Sequence, residues 1–292
     1  MTSYVADQEE INMSYRIIGD SCLDLTADLK KDPHFQTIPL TLQVEHTQVI
    51  DDETFDQKKF LELVKNSSEC PQTACPSPER FKEAFECDAD QIFVITLSEH
   101  LSGTYNSAVL AKKLYEEEYG TEKKKIAVFS SDSASSGELN IALYIQSLCQ
   151  ASMPFEEIVE KTKTFIRNMK TYFVLESLDT LRKNGRLTGL QAFFATALNI
   201  KPVMGADHGV IIKLDQARGI NKALLRMADI AIREAGETKD KVLIIAHCNN
   251  AERAEMVKNE MCRQAVFKDV IITETAGVAT VYASDGGIIV AL

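Results

Sequence analysis

Thr96-Leu-Ser-Glu-His-Leu-Ser-Gly-Thr-Tyr-Asn-Ser107 is a polar, hydroxyl-dense turn between two apolar-patterned segments, and its reading decides the fold class. Upstream, Gln91-Ile-Phe-Val-Ile95 is short, apolar and bounded by polar residues, as a buried parallel strand is. Downstream, Thr104 to Tyr119 interleaves Val109, Leu110 and Leu114 with Lys112, Lys113 and Glu116 to Glu118, the pattern of an amphipathic helix. Ser102 and Gly103 therefore fall where a helix begins and backbone N–H groups lack partners. Such a point attracts anions, because free amides and the positive end of the helix dipole meet there. Two readings stay open: a carboxylate or phosphate site, or an N-cap serving only its own helix.

A second junction lies in Gln72-Thr-Ala-Cys-Pro-Ser-Pro-Glu-Arg80. Ser77 offers an N-cap, Pro78 the first helical position and Glu79 an acid in the first turn, so a helix is predicted over Pro78 to Phe85. Thr73 precedes it on a segment held extended by the coming prolines. A third hydroxyl-rich junction, Ser130-Ser-Asp-Ser-Ala-Ser-Ser-Gly137, follows the strand Lys125 to Phe129 and precedes a helix over Glu138 to Gln150. Alternation of this kind implies βαβ units and a parallel sheet, with ligands bound at the carboxyl ends of the strands.

Outward from this centre, Tyr15 to Gly19 reads as the first strand, closed by an acidic turn of Asp20, Ser21 and Asp24. That turn reads as structural, because carboxylates repel an anionic ligand. Ile38 to Val49 alternates apolar and polar residues, as an edge strand or small ribbon does. A helix is predicted over Phe55 to Val64, and another from Pro154 to about Met169, crossing into a second domain. Beyond it, strands are expected at Tyr172 to Leu175, Ile200 to Met204 and Gly209 to Leu214, the last two joined by a hairpin-like turn at Gly205 to His208. Strand and helix then alternate through Lys222–Glu234, Val242–Ala246, Glu252–Arg263 and Val270–Thr275, and Gly286 to Leu292 closes the chain as a strand. The expected fold is α/β with two α/β domains. Residues 1–12 form a polar leader, poorly ordered or loosely docked; residues 13–165 the first domain, with a small β excursion near 38–52; residues 166–292 the second.

Composition sets limits. The 292 residues are 45% hydrophobic and 26% charged, ordinary for a soluble globular chain. A formal net charge of −11 argues against nonspecific nucleic-acid binding, which rests on cationic contacts. No apolar run approaches the roughly 20 residues that span a bilayer, and the N-terminus lacks a secretory pattern. The seven cysteines form no Cys-x-x-Cys pair, so reduced cytoplasmic thiols are expected, with no metal and no cofactor. The five histidines are scattered, and no hydrolase, zinc-protease or P-loop motif occurs. Hydroxyls, helix-start amides and guanidinium groups are what the chain supplies, and donors without a base bind anions rather than transform them.

Five segments, in order, carry a resemblance: Gly19-Asp-Ser-Cys-Leu-Asp-Leu25, Thr73-Ala-Cys-Pro-Ser77, Leu101-Ser-Gly-Thr-Tyr-Asn-Ser-Ala108, Leu175-Glu-Ser-Leu-Asp-Thr-Leu-Arg-Lys-Asn-Gly-Arg-Leu187 and Ile200-Lys-Pro-Val203. Over nearly its whole length the chain resembles the DegV family of bacterial fatty-acid-binding proteins. The resemblance implies one long-chain fatty acid, such as palmitate, in a buried tunnel between the two α/β domains. Its carboxylate would be held by the hydroxyls matching Thr73 and Ser102. It further implies a partner fatty acid kinase that phosphorylates the presented carboxyl group, the acyl phosphate feeding phospholipid synthesis. The Arg182/Arg186 loop resembles the family's arginine segment, tied to the kinase or to the carboxylate. The alternative there is a loop salt-bridged to Glu176 or Asp179, and the sequence does not choose between the two arginines.

One departure stands out. Many family members carry Thr-His-Thr-Gly-Pro-Gly near the C-terminus, whereas this chain reads Gly277-Val-Ala-Thr-Val-Tyr-Ala-Ser-Asp-Gly-Gly287, with Ala283 at the histidine position. Tyr282 or Ser284 is the candidate substitute. Gly103 and Ser77 are further candidates for the head site, and Leu190 to Leu198 for the tunnel wall or ordinary core. Rival readings are an acyl or phosphoryl transferase using Cys75 or Ser102 as nucleophile, and a sensor of a small anion without a tail. His100 is expected to face solvent.

Overall fold

The computed structural model describes residues 14–187 and 199–292. The polar leader over residues 1–12 and the apolar stretch Leu190 to Leu198 lie outside the described residues. Strands β1 (Tyr15–Asp20), β2 (Phe35–Ile38), β6 (Gln91–Thr96) and β7 (Lys125–Ser130) form a four-stranded sheet in the order β2-β1-β6-β7. All its pairings are parallel. Every residue of β6 is buried, because helices cover both faces. Val94 and Ile92 face α2 (Pro78–Phe85) and α3 (Thr104–Tyr119), packing on Phe81, Phe85 and Ala111. Phe93 and Ile95, one residue out of phase, face α4 (Ser136–Gln150) and α5 (Phe155–Asn168).

A second sheet has six strands: β8 (Thr171–Val174), β9 (Ile200–Asp207), β10 (Val210–Arg218), β11 (Val242–His247), β12 (Asp269–Glu274) and β13 (Ile288–Ala291), ordered β10-β9-β8-β13-β11-β12. Only β11 and β12 pair in parallel; the other neighbours are antiparallel. Helices α7 (Ile220–Ala235) and α8 (Ala251–Gln264) bury one face through Leu224, Met227, Val257 and Met261. The closing strand β13 thus lies inside the sheet, not at its edge. α4 is buried nearly all round, since its Leu139, Ile141 and Ile145 share one core with Ile95 of the first sheet and Ile244 of the second. That wedge joins the two halves.

A small antiparallel sheet, β4-β3-β5, comprises β3 (Thr41–Val44), β4 (Thr47–Ile50) and β5 (Gln72–Ala74). The predicted edge strand or ribbon at Ile38 to Val49 is therefore divided. Ile38 ends β2 on the parallel sheet, Pro39 supplies no N–H to extend it, and the chain re-pairs as a hairpin through Glu45 at φ 52°. The β9–β10 turn is tighter than the one read at Gly205 to His208. It is His208–Gly209, with φ of 46° and 77°, the left-handed pair that a two-residue hairpin needs. α9 (Gly277–Ala283) escaped the sequence reading, because glycine, valine and threonine are poor helix formers. Among the described residues the remaining α-helices are α1 (Gln57–Asn66), capped by Asp56 accepting from Lys59 N at 3.1 Å, and the short α6 (Asp179–Lys183), a segment the sequence reads as loop.

Candidate functional site

Three loops leave the carboxyl ends of β1, β6 and β7, and buried polar groups lash them together. Asp20 accepts from its own loop at Cys22 N (3.0 Å) and from the β6 loop at Leu97 N (2.8 Å). Ser98 N donates to Ser133 O in the β7 loop at 2.9 Å, and Ser135 Oγ donates to Asp24. Burial pushes the Asp20 and Asp24 carboxyls up to about 7, and that of Glu138, fully buried beside them, well above the usual carboxylate range. The acidic turn is thus a structural brace, as its residue types imply.

Between these loops and the face of the second sheet lies a cavity enclosing about 820 Å³ of empty space, its open mouth included. It is narrow, little of that space being wide enough for a water molecule to move about. Residues alternating on one face, Thr171 and Phe173 of β8 and Leu175 just beyond it, line it, so it extends along β8. Leu101, Leu181, Ile211, Val278 and Ile289 complete a largely apolar wall. Thr73, Ser102, Arg186 and Tyr282 also line it.

Those four polar residues are neighbours. Thr73 Oγ1 lies 3.0 Å from the Tyr282 hydroxyl, linking β5 to α9 across the cavity wall. Arg186 Nε donates to Leu101 O at 3.1 Å, one residue before Ser102, and its guanidinium sits 5.8 Å from the centre of the Tyr282 ring. Ser102 Oγ is 2.8 Å from Thr104 Oγ1 and accepts from Thr104 N at 3.3 Å. Ser102 therefore bonds the start of α3 and also lines the cavity. The helix-capping position itself belongs to Gly103.

Other candidates fall outside this group. Gly103 is exposed, with Cys75 Sγ packed 3.4 Å from where a Cβ would stand. Ser77 occupies the N-cap position of α2 but makes no cap bond and faces solvent. Ser284 ends α9 in a left-handed conformation (φ 56°), its N–H bonded to Thr280 O, and is not among the lining residues. Ala283 is buried and lines the cavity, so its small methyl forms wall where a larger residue would protrude. His100 and Cys75 are exposed.

The geometry also separates the two arginines. Arg182 pairs with Asp179 at 3.1 Å on the surface, whereas Arg186 reaches the cavity. Glu176 pairs with neither: Lys201 (2.6 Å) and Arg253 (2.7 Å) hold it, an outcome invisible to local spacing because both partners lie far along the chain. Sequence reasoning missed Thr171, Ser133 and Asp132 as wall residues. Asp132 and Ser135 adopt left-handed backbone (φ 51° and 55°), a sign of a constrained loop legible only in coordinates. Asp132 also lines the cavity, so an anion is favoured beside Ser102 and Arg186 and disfavoured beside that carboxylate.

An apolar cavity with clustered uncharged donors, set at the carboxyl ends of parallel strands, defines a ligand-binding α/β protein. Comparison with known proteins gives the class a family. The family model described as "Uncharacterised protein, DegV family" matches residues 14–292. A DegV domain-containing protein of Streptococcus pyogenes serotype M1 is 32% identical over 284 residues, covering 95% of this chain and 98% of its own. Among solved structures, a DegV-family protein from Ruminococcus gnavus refined with vaccenic acid is 50% identical at a TM-score of 0.93, covering 96% of this chain and 100% of its own. The Streptococcus pneumoniae fatty acid kinase B3 protein, loaded with linoleic acid, is 31% identical at 0.85, covering 96% and 99%. A family member from Eubacterium eligens loaded with heptadecanoic acid is 29% identical at 0.86, covering 95% and 99%. The chain belongs to the DegV family.

Proposed function

We propose that this protein binds one long-chain fatty acid, its carboxylate held by the hydroxyls of Thr73, Ser102 and Tyr282 beside Arg186, its chain lying in the apolar cavity along β8. The observation that carries this reading is the placement of those four donors together on a largely apolar, narrow wall. Hydroxyls and a helix-start dipole can satisfy a carboxylate's lone pairs without a fully buried counter-charge. A narrow slot suits a polymethylene chain, which contributes about 0.8 kcal/mol for each CH₂ removed from water. Fatty acids in the related structures from R. gnavus, E. eligens and S. pneumoniae support the same ligand class.

We read the two halves, residues 13–165 and 166–292, as domains that close on the ligand. The protein presents the bound acid to a cytoplasmic fatty acid kinase and performs no chemistry of its own. The name of the S. pneumoniae relative supports that partnership. The test is mass spectrometry of an organic extract of the purified protein. One long-chain acid per chain is expected; a tailless anion, or an acyl adduct that organic solvent does not release, refutes the reading.

A further inference from the structure

On the side of α9 remote from its Tyr282 end, the first half of the chain holds the beginning of that helix by its backbone. Asp51, at the end of β4, accepts Gly277 N (2.6 Å) on one oxygen and Val278 N (2.8 Å) on the other. Asp24 accepts Ala276 N at 2.6 Å. Three successive N–H groups, the ones that a helix start leaves unsatisfied, are thus all taken by two carboxylates. Gln57 adds Thr275 O (2.8 Å) and Thr280 Oγ1 (3.2 Å). Asp24, Asp51 and Gln57 are all buried. No described cation forms an ion pair with either acid; the backbone amides, together with Ser135 Oγ on Asp24, are their direct partners. Gly277 is part of the fit: a Cβ there would meet Asp51 Oδ1 at 2.5 Å and Leu42 at 2.7 Å, so no side chain is admissible without moving the acid away.

The helix so held is the one that carries the cavity wall and the Tyr282 hydroxyl. Gly277, Val278, Thr280 and Val281 favour strand or loop as readily as helix, so the segment owes its helical start to these acceptors. We propose that Asp51, supported by Asp24 and Gln57, is a positioning residue for the head of the ligand. By fixing the start of α9, it sets the Tyr282 hydroxyl at hydrogen-bond distance from Thr73, and so determines how strongly the site prefers a free carboxylate to an uncharged head. This rests on the fatty-acid reading above.

The experiment compares palmitate with its methyl ester by displacement of a fluorescent fatty acid from delipidated protein, for wild type and Asp51→Asn. Asparagine keeps one acceptor and loses the second, so α9 loosens while the cavity wall keeps its composition. Wild type is expected to prefer the acid; if it binds neither ligand, the fatty-acid reading fails independently of this inference. Asp51→Asn is expected to weaken acid binding about tenfold, with the ester shifted less than about threefold. Equal losses for both ligands, or an unchanged preference in the folded variant, overturn the proposal. Should Asp51→Asn not fold, hydrogen exchange of wild type decides. The amides of Ala276, Gly277 and Val278 are expected among the slowest of the second half, and exchange at exposed-loop rates overturns the assignment.

Discussion

Replacing Thr73 by valine removes one hydroxyl and keeps the shape, which makes it the sharpest perturbation of the site. The Thr73–Tyr282 contact at 3.0 Å is a neutral hydrogen bond between half-buried groups, contributing about 0.5–1.5 kcal/mol to the unliganded fold. Tyr282→Phe removes the same bond from the other end. The two changes therefore overlap, and a double-mutant cycle on unfolding should show a coupling of about 1 kcal/mol. The effect on ligand is larger, because the acceptor becomes a charged carboxylate whose hydrogen bonds contribute about 1.5–3 kcal/mol each. Palmitate affinity of Thr73→Val is therefore expected to fall roughly 10- to 150-fold by calorimetry on delipidated protein. Tyr282→Phe should lose about as much, and the double variant less than the sum. Affinity of Thr73→Val within about twofold of wild type, in a protein that still folds, would refute the head-site reasoning.

Ser102→Ala should weaken palmitate binding by about 1–3 kcal/mol in the same titration, and the reading is wrong if affinity is unchanged. Arg186→Ala should also lower it, whereas Arg182→Ala, whose guanidinium is engaged by Asp179 on the surface, should bind within about twofold of wild type; the reverse order contradicts the assignment. The buried acids give a pH dependence whose sign is fixed. Asp20 and Asp24, raised by burial from 3.8 to about 7, hold protons in the folded chain that the unfolded chain has already released. Their contribution is full below about pH 4 and is lost as pH rises through about 7. Glu138, raised in the same sense, adds to it, so Glu138→Gln should match wild type in denaturant melts at low pH and exceed it at pH 8. A variant less stable than wild type at pH 8 would show that the carboxylate is needed there.

The first sheet was readable because its physics is local. Gln91–Ile95 is apolar on both faces, Pro78–Phe85 carries its own start signals, and the segments between them alternate at regular intervals. The cavity-lining hydroxyls at Thr73 and Ser102 were legible for the same reason, since each sits at a junction whose type the neighbours dictate. What stayed hidden depends on partners far apart in sequence. α9 is a weak helix former completed by Asp51, more than two hundred positions earlier, and no window of sequence contains both. Local spacing offers Glu176 as one alternative partner for the nearby arginines, but folding brings it Lys201 and Arg253 instead. Arg182 lies in α6 and Arg186 just beyond it; the chain's path around Gly185, not their chemistry, turns only one toward the cavity.

The most direct measurement is carbon-13 NMR of palmitate labelled at its carboxyl carbon, bound to the delipidated protein. One bound resonance saturating at an equimolar ratio is expected, shifted in Thr73→Val and in Ser102→Ala but not in Ser284→Ala or Arg182→Ala. A bound carboxyl whose resonance ignores the first two substitutions, or titrates as it does free in water, would contradict the account.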